Sequence, residues 1–230
     1  MQSKPRKQGF AKLKGACKRR LLKIVILLLV LVVGLLGFWF ALKFALNTEK
    51  PLFLVSSGDM CTVQGSCDGF THPFEHTLHR GDVIVVQGAN AENVNSEYPN
   101  SDIVVFRAPY AGPSQESGLV ITRVVAKIEV DGVVYFQTKS DGKGIHKWPE
   151  PLSEMEYDVW SDYAGNYTWN GMISEKLLVG KVIFRIPWIG HLVFFVSNYS
   201  GVLIIVVLII LFIIVKFCVP RFKKEHETKH

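Results

Sequence analysis

Side chains with the potential for hydrolytic chemistry lie close together at two places in the sequence. Ser57 is two residues before Asp59, and Lys139 is two residues before Asp141. A serine hydroxyl beside a lysine amine can serve as nucleophile and base, which makes Ser57 with Lys139 one candidate pair. Two carboxylates that share a proton can activate water, so Asp59 with Asp141 is a second candidate, provided that they lie about 3 Å apart.

Two cysteines, Cys61 and Cys67, follow the first of these places. In an oxidising compartment this close pair predicts a disulfide. The alternative is a zinc site made by the same cysteines with His72, His76 and His79, but such sites usually pair a CxxC motif with a short His spacing. The spacing therefore favours the disulfide, and no metal or other cofactor is expected.

The chain has two long apolar runs, one near each end, and they determine where the residues between them lie. Residues 1–23 contain nine Lys or Arg residues and no acid, and residues 24–42 are uncharged. This run is close to the roughly 20 residues that a helix needs to cross a bilayer. It exceeds the apolar segment of a cleavable signal peptide, and Lys43 interrupts the small-residue cleavage pattern. We therefore expect one transmembrane helix at 24–46 and a second at 199–219.

The charge distribution predicts how such a chain would be oriented. Basic residues flank both apolar runs, in the tails 1–23 and 220–230, which places both tails in the cytoplasm. Residues 47–198 would then form an extracytoplasmic domain in a protein of the cell membrane, with the lipid bilayer as a partner. This segment has 11 basic and 18 acidic residues, a net charge of −7 against +6 for the whole chain. Nucleic-acid binding is therefore not expected.

Short segments rich in β-branched residues predict that the middle of the chain is mainly β. The predicted strands are Val83–Val86, Ile103–Phe106, Leu119–Ile128, Val133–Thr138 and Val179–Ile186. Asp131-Gly132, between two apolar segments, is a strong hairpin signal. Pro149–Tyr157 has room for a short helix. Asn166 and Asn198 begin Asn-x-Ser/Thr sequons and are candidate glycosylation sites.

Several blocks in the same order resemble type I signal peptidases of the archaeal kind. The blocks are Val55-Ser56-Ser57-Gly58-Asp59-Met60, Leu78-His79-Arg80-Gly81-Asp82, Ile121-Thr122-Arg123-Val124-Val125 and Phe136-Gln137-Thr138-Lys139-Ser140-Asp141. They are similar to the family's Ser-Gly-Ser-Met, Leu-x-x-Gly-Asp, His-Arg-Val-Val and Phe-x-Thr-Lys-Gly-Asp. The resemblance implies two abutting β-sheets, a groove at the outer membrane face, and cleavage of signal peptides after small residues.

The chain departs from this family at the two positions that carry the chemistry. The nucleophilic serine is replaced by Asp59, and the histidine base is replaced by Thr122, whose hydroxyl cannot take a proton near neutral pH. Ser57 matches a position that helps to bind the oxyanion, and Asp141 matches the retained acidic residue. The resemblance thus implies no intact catalytic set.

The remaining residues of these blocks are expected to have structural roles. They are Cys61, Cys67, Asp82, Arg123 and Lys139. Arg123 lies among apolar residues, so it is either a solvated strand residue or, as we favour, a buried partner for an acid such as Asp141.

Three functional hypotheses follow from the resemblance. The leading one is a non-catalytic, signal-peptidase-like membrane protein that acts as a binding or scaffold subunit at the outer membrane face, with signal peptides or other subunits of a complex as partners. The alternative is an active type I signal peptidase that cleaves secretory preproteins with an altered site. The third is a purely structural membrane protein. The sequence favours a protein that is not an enzyme and leaves the choice open.

Overall fold

The computed structural model describes most of the chain outside its two ends. The described residues are 26–27, 29–63, 67, 77–109, 118–153, 156–162, 167–197, 203–204 and 206–208. The chain divides into two units, Met1–Pro51 and Leu52–His230.

In the first unit the described residues form a helix, α1, over 26–45, in which position 28 is not described. Asn47 ends it in the left-handed conformation, with φ of 48°. The amide of Asn47 donates to the carbonyl of Phe44, and the amide of Thr48 donates to the carbonyl of Lys43. These two bonds satisfy carbonyls that the helix end would otherwise leave without a donor.

The described residues of the second unit form eight β-strands and a nine-residue helix, and residues 203–204 and 206–208 are also helical. The strands are β1 (Leu52–Leu54), β2 (Val83–Gln87), β3 (Ile103–Arg107), β4 (Leu119–Val130), β5 (Val133–Lys139), β6 (Thr168–Trp169), β7 (Met172–Ser174) and β8 (Leu178–Ile186). Helix α2 spans Ile189–Ser197, and 3₁₀ turns lie at Ala91–Asn93 and Glu175–Leu177.

All eight strands join one antiparallel sheet in the order β1-β2-β8-β3-β4-β5-β7-β6. Strand β8 lies between β2 and β3, although it is the last strand in sequence. Gly180 permits this close pairing, because a Cβ atom at that position would lie 2.2 Å from the carbonyl oxygen of Gln87.

The predicted hairpin at Asp131-Gly132 is confirmed. Both residues have positive φ, 50° and 74°, and Val130 pairs with Val133 on either side of them. Two consecutive residues with positive φ are typical of the two-residue turns that match the twist of a hairpin.

Apolar side chains pack on both faces of the sheet. On β3, Val104 and Phe106 belong to a cluster with Phe136, while Val105 belongs to a second cluster with Ile84. Because successive side chains of a strand point to opposite faces, the two clusters lie on opposite sides of the sheet.

The expected transmembrane architecture is wrong. Among the described residues, none of the helices has both the length and the apolar character that crossing a membrane requires. This finding overturns the predicted spans at 24–46 and 199–219 and the predicted cell-membrane location with cytoplasmic tails and an extracytoplasmic domain. Most of 199–219, and both tails, lie outside the described residues.

The expectation of a mainly β domain is correct, but the implied pair of abutting sheets is not, because the strands form a single hydrogen-bonded sheet. The five predicted strands match β2, β3, β4, β5 and β8 to within two residues. The short strands β1, β6 and β7 and helix α2 were not predicted. In the described part of Pro149–Tyr157 there is no α-helix.

We expect the Phe106→Ala variant to lose about 3–5 kcal/mol of unfolding free energy, because the buried Phe106 ring packs against Phe136 with centroids 5.6 Å apart. Phe184, on β8, is 62% exposed, so Phe184→Ala should change stability by only about 0.5 kcal/mol. Chemical denaturation of the two variants measures both values. Equal losses would show that the cluster around β3 is not the core.

Candidate functional site

A groove with a volume of about 400 Å³ lies beside the end of β1. Its polar lining consists of Ser56, Ser57, Asp59, Ser140, Lys143 and Asp158. Its apolar lining consists of Phe53, Leu54, Leu119, Val120, Ile121, Val159 and Trp160. The groove thus brings together two of the predicted site residues, Ser57 and Asp59, and four polar residues that the sequence analysis did not select as site residues.

Asp59 lies on a tight turn, in which the amide of Cys61 donates to the carbonyl of Gly58. Its side chain is half exposed, and Oδ2 lies 3.7 Å from Nζ of Lys143. The backbone carbonyl of Asp59 accepts a hydrogen bond from the amide of Gly142 at 2.9 Å. Asp59 is therefore an accessible carboxylate with a loosely held cation beside it.

The predicted disulfide between Cys61 and Cys67 is confirmed, and it braces this turn. The carbonyl of Cys67 accepts a hydrogen bond from the amide of Arg80 at 3.0 Å. A Cβ atom at Gly142 would lie 2.0 Å from the carbonyl oxygen of Cys61, so the loop after β5 approaches the turn as closely as glycine permits. Bonded to each other, the two sulfurs are not available as zinc ligands, and His72 and His76 lie outside the described residues.

Thr122 is fully buried on β4 and donates a hydrogen bond from Oγ1 to Oδ2 of Asp158 at 2.8 Å. The same oxygen accepts a hydrogen bond from the Thr138 hydroxyl at 3.3 Å, and Thr138 accepts one from the Trp160 indole at 2.8 Å. The amide of Asp158 donates to the carbonyl of Thr138. Thr122 is therefore a hydroxyl donor that orients a carboxylate.

Burial raises the pKa of Asp158 above its ordinary value of 3.8. The hydroxyls of Thr122 and Thr138 and the ammonium groups of Lys143 and Lys139 oppose that rise. Since desolvation is the larger effect, the carboxylate is held in its charged form less readily than an exposed aspartate.

Arg123 and Asp141 form a buried, bidentate ion pair, as the ion-pair interpretation of the sequence predicts. The guanidinium donates to both carboxylate oxygens, at 2.7 and 2.8 Å, and to the carbonyl of Ser101 at 2.7 Å. It also lies over the Trp148 ring, 4.8 Å from the centroid. Burial raises the pKa of Asp141, and the Arg123 guanidinium opposes the rise.

Neither pair suggested by sequence spacing is formed. Asp141 is engaged by Arg123, whereas Asp59 is beside Lys143, so the two carboxylates do not share a proton. The buried ammonium of Lys139 donates to the carbonyls of Ser140 and Lys143, and Lys139 does not line the groove that contains Ser57. The arrangement therefore does not form the Ser57–Lys139 pair or a pair of coupled aspartates.

Asp82 lies away from this groove and is fully buried. Its Oδ2 accepts a hydrogen bond from the amide of His79 at 2.8 Å and lies 3.4 Å from Nε of Arg185. It thereby connects the entry of β2 to β8. The two sequon residues, Asn166 and Asn198, lie outside the described residues.

Sequence reasoning missed Asp158, Lys143, Ser140 and Ser56 as groove residues. Lys143 and Ser140 flank Asp141 within a loop, and their spacing gives no sign of which side chain faces a cavity. Asp158 lies between Tyr157 and Val159 with no motif around it. Its only sequence signal is a carboxylate set among apolar and aromatic residues.

Comparisons with known proteins identify no relative of this chain. No family model matches the sequence, and searches of curated proteins and of solved structures return no significant match.

We expect the Asp158→Asn variant to change how stability depends on pH. Because burial raises the pKa of Asp158, the folded state binds its proton more tightly than the unfolded state does. The carboxyl therefore makes the wild type less stable as the pH rises from 3.8 through the raised pKa. Across that window, the unfolding free energy of the wild type should fall relative to that of the variant, and the difference should be constant above it.

Urea unfolding at a series of pH values measures this difference. Glu129→Gln, at an exposed position on β4, is the control and should give a curve parallel to that of the wild type. A parallel curve for Asp158→Asn would contradict the raised pKa.

Proposed function

We propose that this protein is a non-catalytic relative of type I signal peptidases that binds extended apolar peptide segments, such as signal peptides, as a binding or scaffold subunit. The observation that carries the proposal is the content of the groove. Asp59, at the position of the family's nucleophile, lines the groove as an accessible carboxylate, and the buried Thr122, at the position of the family's base, does not line it but donates to the groove residue Asp158.

This content does not support acyl transfer. A serine protease needs a hydroxyl nucleophile beside a group that takes its proton. Thr122 gives its own proton to a hydrogen bond with Asp158, so it does not act as a base toward another group. The one lysine in the groove, Lys143, lies beside Asp59, and Lys139 is enclosed by backbone carbonyls.

The shape and lining of the groove support binding of an extended peptide. Its volume of about 400 Å³ is within the range of ligand pockets, and seven of the 13 residues that line it are apolar. Strand β1 borders the groove. It lies at one edge of the sheet, and among the described residues it pairs only with β2. A peptide can add to such an edge as a further strand, with alternate side chains entering the groove.

We expect a carboxylate on the apolar wall to weaken peptide binding. Val159 lines the groove and is 83% exposed, so Val159→Asp should fold normally. A bound peptide would cover the new charge without a partner, and the dissociation constant for a fluorescent apolar peptide should rise about tenfold or more. Fluorescence anisotropy measures this constant.

Ile145→Asp is the matched control, because Ile145 is 86% exposed and does not line the groove. It should bind the peptide as the wild type does. No binding by the wild type, or equal losses in the two variants, would contradict the proposal and favour a purely structural role.

We expect the wild type and Asp59→Ser to leave a secretory preprotein uncut, because neither has the histidine base that the family plan requires at position 122. Asp59→Ser combined with Thr122→His should cleave it about 100-fold faster than the single variant, since Asp158 is placed to orient the new imidazole. Mass spectrometry of the products measures cleavage. Wild-type cleavage that is lost in Ser57→Ala would establish the alternative, an active peptidase with an altered site.

A further inference from the structure

The Asp158 carboxylate is held in one orientation at the wall of the groove. Both hydroxyl groups, from Thr122 and Thr138, donate to Oδ2. Within the described residues Oδ1 accepts no hydrogen bond, although the residue lines the groove. The side chain is thus fixed through one oxygen, and the other oxygen is left without a hydrogen bond in a residue that lines the groove.

The charge of this carboxylate is not matched by a contact with a cation of the protein. No basic nitrogen among the described residues lies within 4.0 Å of Asp158. The nearest candidates are engaged elsewhere, Lys143 with Asp59 and Lys139 with two backbone carbonyls. A partly buried carboxylate without a paired cation is costly, and a cation supplied by a ligand would offset that cost.

We infer that the groove selects an apolar peptide that carries a lysine or arginine side chain, and that Asp158 is the residue that pairs with this cation. The inference deepens the proposed function and rests on it. The side chains of lysine and arginine have apolar stems, which suit walls formed by residues such as Leu54, Val159 and Trp160. Their cationic ends need a carboxylate that is fixed in place, which the two threonines provide.

A metal ion fits this wall less well than an organic cation does. Calcium takes six to eight oxygen ligands, and magnesium requires near-octahedral geometry. Within the described residues no group of three acidic, histidine or cysteine side chains is placed to hold a metal ion. A guanidinium or ammonium group needs only the single carboxylate and the apolar surface around it.

Two series of fluorescent peptides with blocked termini test the inference, because their side chains are then the only source of charge. The series share an apolar sequence and differ at one position, which is lysine in one series and its uncharged analogue norleucine in the other. This position is moved along the peptide so that the register of binding need not be known. In the best register, the wild type should bind the lysine peptide about tenfold or more tightly than the norleucine peptide.

Asp158→Asn should abolish this preference while still binding the norleucine peptide, and Glu129→Gln should retain the preference. Titration of the wild type gives a second test that does not depend on a variant. The lysine preference should disappear as the pH falls and Asp158 is protonated, whereas binding of norleucine should not change with it. The other charged groups nearby are Lys143, Lys139 and Asp59. If the Asp59→Asn variant loses its lysine preference over the same pH range as the wild type, the loss is assigned to Asp158.

The outcomes separate the two proposals. Equal binding of the lysine and norleucine peptides, or a preference that persists in Asp158→Asn, would overturn the inference and leave peptide binding intact. Failure of the wild type to bind either series in any register would overturn the proposed function and this inference with it.

Discussion

The buried ion pair between Arg123 and Asp141 is the interaction on which the geometry of the groove depends. It connects the middle of β4 to the loop that follows β5, and it is enclosed by the carbonyl of Ser101 and the ring of Trp148. A buried charge that loses its partner is strongly destabilising, so the two residues fix each other in place. The loop that they hold supplies Ser140 and Lys143 to the groove. Its Gly142 amide also reaches back to the carbonyl of Asp59.

The long strands could be predicted from sequence because each carries its own signal. β4 and β5 are rich in β-branched residues and meet at Asp131-Gly132, where the turn conformation is dictated by local residues. β1, β6 and β7 contain two or three residues each, too few for a periodic pattern, and they form because neighbouring strands are present. The uncharged, apolar run 24–42 has nearly the length and the composition of a transmembrane helix, but these two properties alone did not establish a membrane span.

The site could be predicted in part. The blocks that resemble signal peptidases directed attention to Ser57, Asp59 and Thr122, and two of these line the groove. Asp158 could not be found in this way, since its role arises from a tertiary contact with Thr122, 36 residues earlier in the chain. Spacing likewise suggested a pairing of Asp59 with Asp141, which the structure prevents by giving Asp141 to Arg123. The sequence identifies which charged and polar side chains are present, whereas the fold decides which of them contact each other.

The position of β8 in the sheet has a consequence for synthesis on the ribosome. β2 and β3 are both made early, yet they are joined only through β8, whose residues Leu178–Ile186 emerge about a hundred residues after β2. Until then the two strands have unpaired edges, and apolar residues such as Ile84 and Val105 lack their neighbours. Such partly made sheets are prone to aggregation. The sheet is therefore completed only after β8 has been synthesised.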